Sequence, residues 1–169
     1  MSFLAALALL TCAQPKEVAM VRQPAVAGQF YPGDAKTLTA MIDSMLAAAE
    51  VPAVSGRLVG IQVPHAGYSF SGPTAAQAFK LLSGLDSATV IMVGSKHPDP
   101  QGRAPAPYAR KAMVFGEGVW ITPLGQVPID AELAKAIVSS DGYFVEMPEA
   151  HANEHSLEVQ LPFLQRTIK

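Results

Sequence analysis

Apolar positions change period several times along the chain, and each change predicts an element. Leu38, Met41, Ile42, Met45 and Leu46 fall at helical spacing and make one stripe. Asp34 stands just ahead of that stripe as a good N-cap, after the turn-rich Gly28-Gln29-Phe30-Tyr31-Pro32-Gly33, and Pro52 closes the element. The run 58–63 is short and mainly apolar, as suits a strand buried on both faces, and it stops at Pro64-His65-Ala66-Gly67-Tyr68. Ser71-Gly72-Pro73 predicts the start of a second helix, with proline near the first helical position and Ala76, Phe79 and Leu82 along one face. The run 89–93 repeats the buried-strand pattern and stops at Gly94-Ser95-Lys96-His97-Pro98.

Downstream, 98–107 reads as a loop of proline and glycine. The runs 113–115 and 119–121 fit a hairpin or edge strands around Gly116-Glu117-Gly118. Asp130 predicts the cap of a third helix through Leu133 and Ile137, and 143–146 fits another strand. A last helical segment carries His155, Leu157, Leu161 and Leu164, with Pro162 as a kink. Strands alternating with helices predict an α/β layered fold, a mostly parallel central sheet flanked by helices.

Composition narrows the class. A chain of 169 residues suits one domain, which buries roughly two-thirds of its unfolded surface. Only 15% of residues are charged, against about 25% in average globular proteins. Twelve basic and fourteen acidic residues, with no basic run, argue against a nucleic-acid partner. No apolar run approaches the roughly 20 residues of a transmembrane span. A single cysteine excludes an internal disulfide framework and a Cys-pair zinc site. The apolar stretch from Phe3 to Leu10 has the length of a signal-peptide core, and Leu9-Leu10-Thr11-Cys12 resembles a bacterial lipobox. No lysine or arginine precedes it, so a translation start at Met20 is the competing reading. Export to the cell envelope is preferred over a cytoplasmic location, residues 1–20 and Cys12 are set outside the fold, and 21–169 is the domain.

In open α/β sheets, ligands bind beyond the carboxyl ends of the strands. His65 and His97 each follow an expected strand by a few residues. Parallel strands joined by a right-handed crossover place both imidazoles on one rim. Neighbouring strands lie about 4.8 Å apart, so two such histidines can reach one metal at about 2.1 Å. Histidines hydrogen-bonded in loops are the competing explanation. His151 and His155 stand four apart, but the order His-Ala-Asn-Glu-His displaces the glutamate of a zinc-protease helix. His151 reads as a surface loop residue, whereas His155 and Glu158 read as groups that orient a ligand or substrate. Ser69 and Ser71 are explained by turn formation, Trp120 by the core, and Asp99 and Arg103 by a polar loop. No glycine-rich phosphate motif stands at a strand end, which excludes a nucleotide cofactor, and no Gly-x-Ser-x-Gly elbow exists.

Four stretches of the chain resemble the Memo family, which includes protein B of the bacterial AmmeMemoRadiSam system. They are Arg22-Gln23-Pro24-Ala25-Val26-Ala27-Gly28-Gln29-Phe30-Tyr31-Pro32, then Pro64-His65-Ala66-Gly67-Tyr68 with Ser71-Gly72, then Val93-Gly94-Ser95-Lys96-His97, and last Glu154-His155-Ser156-Leu157-Glu158-Val159-Gln160-Leu161-Pro162-Phe163. Thr122-Pro123-Leu124-Gly125 with Val127-Pro128-Ile129-Asp130 fits as well. The resemblance implies a fold similar to LigB-type class III extradiol dioxygenases. It implies a metal, iron or copper, on His65 and His97, and a redox or dioxygenase-like role beside radical SAM and AMMECR-type partners. Tyr68, His155 and Glu158 are then the candidates for shaping the pocket or relaying protons.

Two departures change that expectation. The family's second motif reads Gly-Pro-Ser-His, whereas this chain has Gly94-Ser95-Lys96-His97, and an ammonium beside a ligand opposes a cation unless it points away. Family members also continue into a second half that supplies Ser-Asp-x-x-His and a cysteine ligand. The expectation is therefore an N-terminal part of such a domain, truncated on its C-terminal side, less stable alone and lacking a third metal ligand. Two other functions stay open: a pocket that binds a peptide or small anion without turnover, and an inactive fragment. The substrate is not legible.

Overall fold

The computed structural model describes residues 20–97 and 110–168. The leader-like segment with Cys12 and the loop with Asp99 and Arg103 lie outside the described residues. The molecule is mixed α/β, with elements in the order β1 (Val21–Arg22), α1 (Ala35–Ala48), α2 (Tyr68–Lys80), β2 (Ala112–Val114), β3 (Val119–Thr122), β4 (Gly125–Pro128), α3 (Ala131–Ser140), β5 (Phe144–Glu146) and α4 (Leu161–Thr167). Short 3-10 turns at Pro148–His151 and Glu158–Gln160 precede α4.

Both predicted caps form. The Asp34 carboxylate accepts from Thr37 N at 2.8 Å and that of Asp130 from Leu133 N at 3.0 Å, each satisfying an orphan donor of the first helical turn. The stripe on α1 buries Leu38 and Ile42 against α2 and α4, in a core that includes Tyr31, Ala76, Phe79, Val159 and Phe163. Phe79 stacks on Phe163 with centroids 4.9 Å apart. A smaller core of Phe115, Trp120 and Leu161 lies on the sheet side, and Leu164 packs against both.

Among the described residues the strands form two small sheets, ordered β1-β3-β4 and β2-β5. The β1–β3 and β2–β5 ladders are parallel and β3–β4 is antiparallel. Residues 113–115 and 119–121 thus contribute to separate sheets. The hairpin joins β3 to β4 through Pro123 and Leu124, where a turn returns the chain on itself.

Four local expectations are corrected. Helix α2 starts at Tyr68, which leaves Pro73 inside it. Gly67 O accepts from Phe70 N and Ser71 N and thereby starts the helix early. The missing Pro73 N–H costs only a bond to the carbonyl of exposed Ser69, which water can reach. Pro162 lies in the first turn of α4, where its absent N–H is an orphan anyway, so it opens the helix instead of kinking it. The runs 58–63 and 89–93 are assigned to no strand and pair with neither sheet among the described residues. Without a neighbouring strand to satisfy their backbone groups they stay open to solvent on one side, with Val59 92% and Val93 93% exposed, while Ile61, Val63 and Met92 pack against the cores.

Candidate metal centre

The two unpaired runs are fastened at their carboxyl ends. Gln160 Nε2 donates to Pro64 O at 3.2 Å and Ser156 Oγ donates to Ser95 O at 2.9 Å. Gly94 permits the second attachment: a Cβ there would fall 2.5 Å from Ser156 Oγ and 2.6 Å from Leu157 Cδ2. Both fastenings come from the segment just before α4, so one short stretch of chain gathers two distant ones. The result brings the His65 and His97 rings to 5.2 Å between centroids, which is the juxtaposition that the ends of the two runs predict.

A third imidazole joins them. The His155 ring lies 4.3 Å from that of His97, nearly parallel to it, and 6.0 Å from that of His65. One ligand nitrogen from each histidine lies within 4.8 Å of the other two. Two donors on one ion, each at about 2.1 Å, can be at most about 4.2 Å apart, so a small rotation of the rings closes the set. Burial, then the neighbouring His97, push the His155 pKa below the ordinary imidazole value, which keeps its lone pair available at neutral pH. Phe30 covers His155 edge-on at 4.8 Å, while the His97 side chain is 39% exposed and leaves the cluster open on that side. The residues present therefore fit a divalent transition metal.

Beneath the rings lies the buried carboxylate of Glu154. Its Oε2 accepts from His97 N at 2.6 Å, and its Oε1 accepts from His155 N and Ser156 N, each at 2.7 Å. His97 Nδ1 stands 2.9 Å from the same Oε1. Burial opposes ionisation, but the Ser156 and His97 N–H donors and the His97 ring outweigh it and hold the carboxyl at about 2. An ionised carboxylate only accepts, so Nδ1 of His97 carries the proton of that pair.

The other expected site residues are placed differently. Glu158 is fully buried and does not join the histidine cluster. Its oxygens accept from the Arg22 guanidinium, Ala25 N at 2.8 Å, Val26 N at 3.1 Å and Tyr31 Oη at 2.5 Å. Tyr68 Oη donates to Val159 O at 2.7 Å from within the helical core. Burial, then the neighbouring Tyr31 and Glu158, drive the Tyr68 pKa upward, so the phenol holds its proton. A proton relay through either side chain would first have to break these bonds. Lys96 turns its ammonium onto His97 O at 3.1 Å in exposed surroundings, where water screens it.

His151 is a correction: it is buried, not a surface loop residue. The Pro148–His151 turn lays its ring against Phe115 and Trp120, each 5.8 Å away. Burial lowers its pKa, and Nε2 lies 3.2 Å from Met113 O. Arg22 caps this corner, 4.4 Å over the Trp120 ring, donating to His151 O at 3.2 Å and Glu154 O at 2.7 Å. Glu154 and Arg22 are the two residues whose part in the site the sequence reading missed. The one available signal was that Glu154 directly precedes His155 in a single motif.

The model of the family described as Memo-like protein matches residues 22–169. A MEMO1 family protein of Methanopyrus kandleri is 44% identical over 154 residues, covering 86% of this chain and 52% of that protein. One from Thermoplasma volcanium is 40% identical over 146 residues, covering 86% and 51%. One from Thermococcus onnurineus is 42% identical over 149 residues, covering 86% and 47%. The chain thus spans about half the length of these curated relatives.

Proposed function

The chain belongs to the Memo family, and on that premise we propose that His65, His97 and His155 hold one transition metal, iron or copper. In this reading the protein is a redox or dioxygenase-like non-haem metalloenzyme that works with radical SAM and AMMECR-type partners. The observation that carries the proposal is the convergence of three imidazole donors from three segments within 4.8 Å. Imidazole suits iron, copper, zinc and nickel alike, and three protein donors leave positions for a small ligand, as catalytic sites do. Where the family resemblance implies a third ligand from a second half, His155 supplies a third donor from this chain.

When bound, the metal would supply a Lewis acid that can also exchange electrons with a coordinated molecule. The chain's own residues do the rest. His155 presents a neutral nitrogen because its surroundings disfavour the charged ring. Phe30 excludes water from one side of that ring, and the exposed edge of His97 leaves a way in for a ligand. Elemental analysis of the purified full chain tests the proposal. One iron or copper per chain is expected, with less than a tenth of it left in His65→Ala, His97→Ala or His155→Ala variants that still fold. A folded wild-type chain that takes up neither metal overturns it.

A further inference from the structure

The three rings come from segments with no ladder between them, so something other than a sheet must hold their geometry. Among the described residues the runs that carry His65 and His97 pair with neither sheet, and the turn that carries His155 is neither helix nor strand. One buried side chain reaches across two of these segments. The Glu154 carboxylate takes the main-chain N–H of His97 on one oxygen and those of His155 and Ser156 on the other. The second oxygen also faces His97 Nδ1 at 2.9 Å.

We propose that Glu154 is the positioning residue of the metal centre: it locks His97 in the tautomer whose Nε2 lone pair is free for a metal, and it fixes the His97 and His155 backbones to one another. The proposal rests on the three-histidine reading above and goes one step beyond it, to the group that prepares the donors. The chemistry is that of a carboxylate–histidine–metal relay. The carboxylate takes the Nδ1 proton in a hydrogen bond, fixes the ring's orientation and strengthens the opposite nitrogen as a base. The geometry supplies a second effect. His97 N–H and His155 N–H share one anchor, which sets the backbone positions from which the two rings approach to 4.3 Å.

Glu154 is itself held from behind. Arg22 Nη2 donates to Glu154 O at 2.7 Å, and both Nε and Nη2 of Arg22 reach His151 O at 3.2 Å. The backbone from which Glu154 projects is therefore tied to β1, and the carboxylate presents its oxygens to the site from a fixed base. A glutamine at 154 keeps the volume but puts an NH2 group where one oxygen now accepts N–H donors. It cannot satisfy both sides of the clamp.

Two measurements on the full chain test this. The first needs no variant. Long-range proton–nitrogen NMR of the metal-free wild type should show His97 with a protonated Nδ1 and a bare Nε2, and the opposite tautomer would overturn the proposal. The second compares the wild type with Glu154→Gln, using cobalt(II) as the probe metal and its visible spectrum as the readout. Outer partners of this kind are worth about 10–100-fold in metal affinity. The expected result is a loss of that size in a variant that still folds, with the His97 ring released into a mixture of tautomers. Unchanged cobalt affinity with the wild-type tautomer retained would overturn it. A wild-type chain that binds no metal yet shows the Nδ1–H tautomer would sink the metalloenzyme reading while leaving the clamp intact, so the two failures are told apart.

Discussion

Glu154 and Glu158 stand four residues apart in one motif, both buried, both fully hydrogen-bonded, and they do opposite work. Glu158 faces the N-terminal segment and binds Arg22, Tyr31 Oη and the N–H groups of Ala25 and Val26, a set that ties the start of the domain to its core. Glu154 faces the other way and gathers the N–H groups of His97, His155 and Ser156, a set that touches the candidate metal centre directly. One carboxylate holds the fold and the other holds the site. Arg22 joins them, because its guanidinium pairs with Glu158 while also holding the carbonyl of Glu154. The lesson is that burial and complete hydrogen bonding do not separate a structural glutamate from a functional one. What separates them is whose N–H groups they hold.

The largest effect should come from breaking the structural half. Glu158→Ala leaves the Arg22 charge buried and unpaired, which costs about 3–5 kcal/mol. Against a total stability of about 5–15 kcal/mol, that removes a large share of the margin, and urea denaturation followed by circular dichroism measures it. Metal uptake should fall only in proportion to the unfolded fraction.

Acid should act on the other half. The Glu154 carboxyl is held at about 2, below its ordinary value of 4.5. A folded-state pKa below the unfolded one contributes stability that is fully present above the unfolded value and lost as pH falls towards the folded one. Unfolding free energy should therefore drop between about pH 4.5 and 2 by up to about 3 kcal/mol. Glu154→Gln should flatten the curve in that window, and thermal melts at half-unit pH steps would show it.

Smaller changes sharpen the comparison. Gly94→Ala forces a Cβ onto Ser156 and Leu157, with an overpacking cost of about 1–3 kcal/mol. It should also shift the His97 ring resonances, because the displaced segment carries that ring. Tyr68→Phe removes one hydrogen bond, to Val159 O, and should cost about 0.5–1.5 kcal/mol in a thermal melt. It should leave metal affinity unchanged, since the phenol belongs to the core. A loss of affinity there would return Tyr68 to the site.

Much of this was legible in the chain. Asp34 and Asp130 cap helices where a carboxylate precedes an apolar stripe, because capping is a local exchange between a side chain and the N–H three residues on. His65 and His97 are legible as a pair because each stands where an apolar run stops abruptly, although the segment just before α4 is what brings them together. The runs themselves read as buried strands, yet pairing depends on a neighbour that local pattern does not specify, and among the described residues they stay unpaired, with Val59 and Val93 exposed. Pro73 and Pro162 changed places in effect: the proline expected to open a helix lies inside one, and the expected kink opens one. Glu154 was out of reach for a different reason. Its partners are mostly main-chain N–H groups, which every residue carries, so no spacing of residue types records the contact.

The central claim is that three histidines, not two, share one metal. X-ray absorption on the full chain loaded with iron or copper counts imidazoles around the ion directly. Three are expected in the wild type, and too little bound metal in His155→Ala to give a spectrum. A wild-type spectrum with two imidazoles, unchanged when His155 is replaced, would contradict it.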